Sequence, residues 1–306
     1  MGRGMKTLLA IKQNSKIGFV GTGVMGKSMA GHLLMAGYEV NIYTRTKNKA
    51  ESLLNAGAVW RETVQQLAEN SDIIVSMVGY PKDVEEIYFG EHGIINHAKS
   101  GSFLIDMTTS SPSLAAKLYQ EALAKGMYAL DAPVSGGDVG AKEARLAIMV
   151  GGDEEVFNVL VPILNYLGKN IVYQGKAGAG QHTKMCNQIA IASNMIGVCE
   201  AMAYAQKSGL NPDTVLKSIA SGAAGSWSLS NLAPRMLAND FAPGFYVKHF
   251  IKDMTIALGA AKEMGLLTPG LELAKSLYEK LAAEGEENSG TQSLYKLYTS
   301  LSSVNS

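Results

Sequence analysis

The chain has 306 residues, 47% of them hydrophobic and 18% charged, and 27 basic residues balance 27 acidic ones. This length predicts about two domains of roughly 150 residues each, and the apolar content excludes a disordered or fibrous chain. A net charge of zero gives no overall field that would draw the protein to nucleic acid or to an anionic membrane surface, so neither is expected as a partner.

Residues 1–15 are predicted to form a solvated N-terminal tail. They carry a basic bias through Arg3, Lys6 and Lys12. The apolar stretch 7–11 within them is too short for the hydrophobic region of a signal peptide.

The two cysteines, Cys186 and Cys199, lie thirteen residues apart in a predicted helix. At the rise of an α-helix they are about 20 Å apart, too far for a disulfide. The most apolar long stretch, 189–205, contains Glu200 and two other polar residues, which favours a buried helix over a membrane span. We therefore expect a soluble, cytoplasmic protein.

Short apolar runs alternate with amphipathic segments from residue 16 to about residue 173. This alternation predicts a parallel sheet covered by helices on both faces. The expected strands are 17–21, 40–43, 73–78, 103–107, 128–131, 146–150 and 171–173.

The pattern changes after the glycine-rich segment 175–180, because the downstream segments are long and helical. Two helix starts are marked by proline at the first helical position, in Asn211-Pro212 and Thr268-Pro269. We predict a boundary near residue 177, with domain 16–177 followed by an all-α domain 178–306.

A G-x-G-x-x-G motif stands between the first predicted strand and the first predicted helix. In this context Gly21 permits a tight turn, Gly23 lets a pyrophosphate approach, and Gly26 allows close packing of helix and sheet. The phosphates would bind at the helix N-terminus. The motif predicts a dinucleotide site in a doubly wound, Rossmann-type α/β domain, although an ordinary glycine turn would look similar. The expected cofactor contacts are Gly21, Thr22, Gly23, Val24, Met25 and Gly26.

The end of the second predicted strand distinguishes NADP from NAD. An NAD site usually has a carboxylate there to bind the ribose 2′-hydroxyl, but this chain has Thr44, Arg45 and Thr46. A guanidinium binds a 2′-phosphate with two hydrogen bonds. The sequence therefore favours NADP (NADPH) over NAD, unless Arg45 is an ordinary surface arginine.

Four ordered motifs resemble one known family. They are the G-x-G-x-M-G turn, the segment 131–137, the run 178–187 and Lys252-Asp253. Together they resemble the β-hydroxyacid dehydrogenases, which include 3-hydroxyisobutyrate dehydrogenase, tartronate semialdehyde reductase and the glyoxylate/succinic semialdehyde reductases. The resemblance implies that domain 178–306 serves substrate binding and oligomerisation, with a long interdomain helix and a homodimer or homotetramer. It also implies hydride transfer between the cofactor and a small hydroxyacid or its semialdehyde or oxo acid.

The resemblance assigns the proton donor for this reaction to Lys184. Reduction of an aldehyde creates an alkoxide, so an acid must stand at the carbonyl oxygen. Lys184, Asn187 and Gln188 share one helix face by their spacing, which can present an ammonium and two amides to a substrate. Gln188 departs from the second asparagine found in many family members. Without the motif, Lys184 would be taken for a solvated helix residue.

Further site residues are expected at the ends of the predicted strands. The glycines of Ser135-Gly136-Gly137 can bring main-chain N–H groups close to a substrate carboxylate, and the serine adds a hydroxyl. By resemblance, Thr109 contacts the nicotinamide side of the cofactor and Lys252 also reaches it. The residues expected to line the nicotinamide ribose are Val78, Gly79 and Pro81.

Two other functions share this architecture. An imine reductase has another residue at the position of Lys184, and a non-catalytic dinucleotide-sensing module loses the lysine or adds basic segments. The presence of Lys184 therefore favours the dehydrogenase. His182 and His249 lack acidic or histidine partners at metal-ligand spacing, so no metal is expected.

Overall fold

A computed structural model of the chain describes Ile11 and residues 14–300. Arg3, Lys6 and Lys12 of the predicted tail lie outside these described residues. The chain forms two compact units, of which the first ends at Lys184 and the second begins at Met185. This division falls inside a long helix, further along the chain than the boundary predicted near 177.

The first unit is built on a mixed sheet whose described strands run in the order β3-β2-β1-β4-β5-β6-β8-β7, with β9 beside β8. Strands β1 to β6 pair in parallel, and the chain changes direction across the sheet between β1 and β4. This is the doubly wound order in which ligands bind outside the carboxyl ends of the strands. The strands are β1 Ile17–Val20, β2 Val40–Tyr43, β3 Val59–Trp60, β4 Ile73–Ser76, β5 Phe103–Asp106, β6 Tyr128–Asp131, β7 Val134–Ser135, β8 Leu146–Gly151 and β9 Gly168–Gly175.

Helices cover both faces of this sheet because its central strands bury alternate residues on opposite sides. In β4, Ile73 and Val75 join one apolar core with α1, α2, α7 and α8, while Ile74 joins a second core with α3 to α6. The helices are α1 Gly26–Met35, α2 Glu51–Asn55, α3 Val64–Glu69, α4 Pro81–Phe89, α5 Ile94–His97, α6 Pro112–Ala124, α7 Gly137–Lys142 and α8 Glu154–Leu164.

The sheet departs from the prediction at its far edge. Strand β8 runs antiparallel to β6 and β7, and β9 runs parallel to β8, so the expectation of a parallel sheet holds for β1 to β6 only. A parallel connection needs a crossover of a dozen or more residues, and the short helix α7 between β7 and β8 is not long enough. Strands β3 and β7 were not predicted, because two residues are too few to show a period.

The second unit is helical in its described part, as predicted. Its helices are α9 Ala179–Lys207, which begins in the first unit, α10 Pro212–Ile219, α11 Trp227–Asn231, α12 Ala233–Leu237, α13 Val247–Glu263, α14 Pro269–Leu281 and α15 Tyr295–Ser300. The predicted starts at Pro212 and Pro269 are confirmed, and Asn211 caps α10 by accepting a hydrogen bond of 3.0 Å from the main-chain N–H of Thr214. Within residues 14–300, no helix has the length and apolar character needed to cross a membrane.

Candidate active site

The glycine turn after β1 has the geometry that its three glycines predict. Gly21 has a φ of +96°, and a Cβ there would collide with the carbonyl oxygen of Met77. A Cβ on Gly26 would collide with the carbonyl oxygen of Gly21, so glycine allows α1 to start directly against the turn. A Cβ on Gly23 would meet no described heavy atom within 4 Å. The turn is therefore closed at its two ends and open in the middle, where a pyrophosphate can approach the backbone.

The same turn offers polar groups that suit a dinucleotide. Thr22 is 2% exposed, and its buried Oγ1 has no hydrogen-bond partner among the described residues. Met25 stands at the N-cap of α1, where no described side chain caps the helix. In the first turn of α1 the N–H of Lys27 already donates to the carbonyl oxygen of Gly23 at 3.1 Å. The positive end of the helix dipole and the hydroxyl of Thr22 nevertheless fit a dinucleotide phosphate.

Arg45 lies just beyond the carboxyl end of β2, between the half-buried Thr44 and the exposed Thr46. Its side chain is 75% exposed, and its Nη1 is 3.3 Å from Oδ1 of Asp83. Asp83 is itself held at the start of α4, where its Oδ2 accepts a 3.0 Å hydrogen bond from the main-chain N–H of Tyr80. Ion pairs at this exposure contribute little to stability. The guanidinium is accessible at the position where the sequence predicts a 2′-phosphate.

The loops after β4 and β5 are tied to each other through Thr108. The main-chain N–H of Val78 donates to Oγ1 of Thr108 at 3.0 Å, and the N–H of Thr108 donates to Oδ1 of Asp106 at 3.1 Å. These bonds bring together the two loops that carry the residues predicted at the nicotinamide end of the cofactor. Those residues are Val78, Gly79, Pro81 and Thr109.

Asp106, at the end of β5, is a buried carboxylate that supports this loop. It accepts a 2.8 Å hydrogen bond from Oγ of Ser76, which also contacts the hydroxyl of Tyr88 at 2.9 Å. Burial raises the pKa of Asp106 to about 6, against the opposing effect of its hydrogen bonds from Ser76 and Thr108. Through these bonds Asp106 holds the start of the loop after β5.

Asp131, at the end of β6, caps helix α9. Its Oδ1 accepts from the N–H of Gly178 at 2.7 Å, and its Oδ2 accepts from the N–H of Gln181 at 2.8 Å. Burial raises the pKa of Asp131, while the main-chain hydrogen bonds act to lower it. A Cβ on Gly180 would lie 2.6 Å from the carbonyl oxygen of Asp131, so glycine is needed for this close approach. The carboxylate fixes the first turn of α9 against β6.

Lys184 is one turn further along α9 and is buried, with 6% of its surface exposed. Its Nζ donates a 2.8 Å hydrogen bond to the carbonyl oxygen of Val134. The residues that follow Val134 are the predicted carboxylate-binding loop, in which Gly136 and Gly137 have φ values of +132° and +63°. The structure thus brings Lys184 to the start of the 135–137 loop, and Lys184 is not a solvated helix residue.

In the second unit, three predicted site residues form one network around Asp253. The Nε2 of Gln188 donates to Oδ2 of Asp253 at 2.6 Å, and its Oε1 accepts from Nδ2 of Asn187 at 2.7 Å. The Nζ of Lys252 lies 3.0 Å from Oδ1 of Asp253. Gln188 is fully buried. The side chain that departs from the common family pattern therefore holds the carboxylate beside Lys252.

The described residues contain no group of three or more His, Cys, Asp or Glu side chains that could hold a metal ion. They include two free thiols, the exposed Cys186 and the buried Cys199.

Two family models together match most of the chain. The model for the NAD binding domain of 6-phosphogluconate dehydrogenase matches residues 16–175, more than half of the chain. The model for the NAD-binding region of NADP-dependent 3-hydroxyisobutyrate dehydrogenase matches residues 178–298. The chain belongs to the β-hydroxyacid dehydrogenase family. This confirms the resemblance seen in the sequence motifs.

Individual relatives agree with this membership. The chain is 68% identical to an uncharacterized oxidoreductase, YkwC, of Bacillus subtilis, over 92% of this chain and 98% of that protein. It is 40% identical to 2-hydroxy-3-oxopropionate reductase of Escherichia coli, over 88% of this chain and 92% of that one. The structure of Mycobacterium tuberculosis 3-hydroxyisobutyrate dehydrogenase with L-serine superposes with a TM-score of 0.86 at 29% identity, covering 92% of this chain and 98% of the other. The protein is an NAD(P)-dependent oxidoreductase of the hydroxyacid dehydrogenase type.

Sequence reasoning missed two side chains that organise this family site. Gln181 lies in the run 178–187 and Asp106 in the predicted strand 103–107, but neither is among the predicted site residues. The position of Gln181 one turn before Lys184 was the available signal. For Asp106, the signal was its place at the end of a predicted buried strand, where a carboxylate is costly unless hydrogen bonds compensate.

Proposed function

We propose that this protein is an NADP-dependent enzyme that interconverts a small hydroxyacid with its semialdehyde or oxo acid. The substrate is a 3-hydroxyisobutyrate-like or a γ-hydroxybutyrate/glycolate-like acid. The observation that carries the proposal is the buried ammonium of Lys184, 2.8 Å from the carbonyl oxygen of Val134 and therefore beside the 135–137 loop. A proton donor and a set of glycine N–H groups adjoin each other there, as a carboxylate-bearing aldehyde requires.

Different residues of the first unit bind different parts of the cofactor. The turn from Gly21 to Gly26 binds the pyrophosphate, and Arg45 binds the 2′-phosphate together with Thr44 and Thr46. NADPH supplies the hydride when it is bound. The residues that hold and orient its nicotinamide end are Val78, Gly79, Pro81 and Thr109.

The reacting end of the site uses Lys184 and the 135–137 loop. The N–H groups at Gly136 and Gly137 and the hydroxyl of Ser135 bind the substrate carboxylate and so orient the carbonyl. Lys184 holds a proton at Nζ and gives it to the carbonyl oxygen as the alkoxide develops. In the oxidative direction the neutral amine takes the proton back.

Three residues of the second unit complete the proposed set. Asn187 and Gln188 are proposed substrate ligands, and Lys252 is a proposed cofactor ligand. Their support is the family resemblance and the shared network around Asp253.

The function is tested by initial rates with glyoxylate and with succinic, malonic, methylmalonic and tartronic semialdehydes, each with NADPH and with NADH. The corresponding hydroxyacids are assayed with NADP and NAD. We expect turnover of at least one aldehyde, with NADPH favoured over NADH by at least about tenfold in kcat/KM, since the lost contact is a charged hydrogen bond. Reduction of a cyclic imine without reduction of any aldehyde would instead identify an imine reductase. Tight NADPH binding with no turnover of either class would identify a sensing module.

Cellular location and oligomeric state are also proposals. Two free thiols in the described chain support a cytoplasmic protein. Large apolar side chains exposed in the second unit support a homodimer or homotetramer. These side chains are Tyr204, Leu210, Trp227, Met264, Leu266, Leu267 and Leu273.

A further inference from the structure

The amide of Gln181 joins helix α9 to the loop after β5 by two hydrogen bonds. Its Nε2 donates to the carbonyl oxygen of Thr108 at 2.7 Å, and its Oε1 accepts from the main-chain N–H of Ser110 at 2.9 Å. The side chain has no exposed surface. The two bonded residues flank Thr109, so the amide holds the loop on both sides of the residue proposed to contact the nicotinamide.

The other end of this connection is also fixed. The main-chain N–H of Gln181 donates to Oδ2 of Asp131 at 2.8 Å, which locks the first turn of α9 to the end of β6. Lys184 follows three residues later, about 4.5 Å along the helix axis. One residue thus links the position of Thr109 to the position of Lys184.

We propose that Gln181 is a positioning residue for hydride transfer, which holds Thr109 at a set distance from Lys184. The inference rests on the proposed function, because it assumes that Thr109 contacts the nicotinamide and that Lys184 contacts the carbonyl oxygen. An amide suits the role because it is both donor and acceptor, and the loop presents one carbonyl and one N–H. A misplacement of about 1 Å at such a site costs up to about a hundredfold in rate.

Loss of the amide should leave the rest of the loop in place. The N–H of Thr108 still donates to Asp106, and Oγ1 of Thr108 still accepts from Val78. The glycine turn that binds the pyrophosphate has no contact with Gln181 among the hydrogen bonds of the described chain. A variant should therefore bind NADPH with nearly unchanged affinity but hold the nicotinamide ring loosely.

The test compares Gln181→Met, Gln181→Glu and a matched control, Gln292→Met. Gln292 is 1% exposed, and its Nε2 donates to the carbonyl oxygens of Asp240 and Ala242 at 3.0 and 3.1 Å, so it too ties down a loop from a buried position. Neither Gln181 nor Gln292 belongs to the proposed site. The control removes a comparable amide from the second unit and measures the general effect of such a loss.

Two measurements separate positioning from folding. Single-turnover hydride transfer is followed with the best aldehyde of the panel, and the fluorescence anisotropy of bound NADPH reports motion of the nicotinamide ring. For Gln181→Met we expect transfer slowed at least about tenfold, faster ring motion, and an NADPH Kd within about threefold of wild type. Gln292→Met should match wild type in both measurements.

Gln181→Glu adds a pH signature. An ionised glutamate can accept from Ser110 but cannot donate to Thr108, whereas a protonated one can do both. Burial beside Asp131, and near Asp106, favours the protonated form. The rate of Gln181→Glu relative to wild type should therefore rise as the pH is lowered from 8 to about 5.5. If Gln181→Met does not fold, the pH dependence of Gln181→Glu still tests the inference.

The inference is overturned if the hydride-transfer rate of folded Gln181→Met is within about threefold of the wild-type rate. It is also overturned if Gln292→Met slows hydride transfer as much as Gln181→Met does. It is also overturned if Gln181→Glu shows no pH-dependent recovery. If wild type reduces no aldehyde, the proposed function fails, and the anisotropy then decides the positioning role alone. Unchanged ring motion in both Gln181 variants would reject it.

Discussion

The ammonium group of Lys184 donates to the carbonyl oxygen of Val134, a residue 50 positions earlier in the chain. This contact places the end of a helix side chain against the residue that precedes the 135–137 loop. The run 178–187 and the segment 131–137, which are far apart in the sequence, are therefore in contact in the first unit.

Replacement of Lys184 by methionine should abolish most of the catalysis. The loss of a positioned acid costs about 10² to 10⁴ in rate, so kcat should fall by that order while NADPH affinity stays nearly unchanged. Lys184→Arg should not restore the rate, because a guanidinium does not release a proton near neutral pH. Single-turnover hydride transfer in the three proteins measures this, with the fold of each checked by circular dichroism. A Lys184→Met enzyme that keeps more than about a tenth of wild-type turnover would reject the assignment.

Arg45→Ala should remove the preference for NADPH. The loss of a charged hydrogen bond to the 2′-phosphate raises KM for NADPH by the equivalent of about 1.5 to 3 kcal/mol and leaves KM for NADH almost unchanged. Lys47→Ala is a suitable control, since Lys47 is also exposed and pairs with a carboxylate, Glu62, at 3.6 Å. Equal use of NADH and NADPH by wild type would contradict the prediction, as would an equal effect of Lys47→Ala.

Ser135→Ala should weaken substrate binding without weakening cofactor binding. The hydroxyl is proposed to donate to the substrate carboxylate, so kcat/KM for the aldehyde should fall by about tenfold, the value of one charge-assisted hydrogen bond. Gly136→Val should block the substrate more fully, but the φ of +132° at Gly136 strains any side chain there. Initial rates measure kcat/KM for the aldehyde, and fluorescence titration measures NADPH affinity. Ser100→Ala, at an exposed serine, is the control for both. Loss of NADPH binding in a folded Ser135→Ala protein would place this loop at the nucleotide instead.

Asp106 should make the protein less stable as the pH rises through the range from about 4 to 6. The folded pKa is about 6 and the ordinary value is 3.8, so the folded state binds more protons between these values and stability falls as they are released. Asp106→Asn removes this dependence and keeps an acceptor at Oδ1, where both Ser76 and Thr108 donate.

The measurement is urea unfolding of wild type and Asp106→Asn at pH 4 and pH 7. The stability of wild type relative to the variant should decrease by about 2 kcal/mol between the two pH values. Asp213→Asn, at an exposed position, should show no such trend. A difference between wild type and Asp106→Asn that does not change with pH would mean that folding does not raise the pKa of Asp106.

Local pattern was enough to predict much of the first unit. Buried strands are short apolar runs between glycine, aspartate and serine, so six of the strands were located to within two residues of their ends. The glycine turn could also be predicted from the sequence, because the steric need for each of its three glycines is local. The family followed from motifs that are continuous in the chain.

Tertiary structure decided how those motifs meet. The cap that Asp131 places on α9 spans 47 residues. The hydrogen bond from the side chain of Gln181 to the carbonyl oxygen of Thr108 spans 73 residues. No periodicity or spacing records such contacts, because hydrogen bonds between buried polar groups are selected by the packed fold as a whole. The sequence by itself thus determined the elements and the family, and only packing determined that Lys184 is buried beside the 135–137 loop.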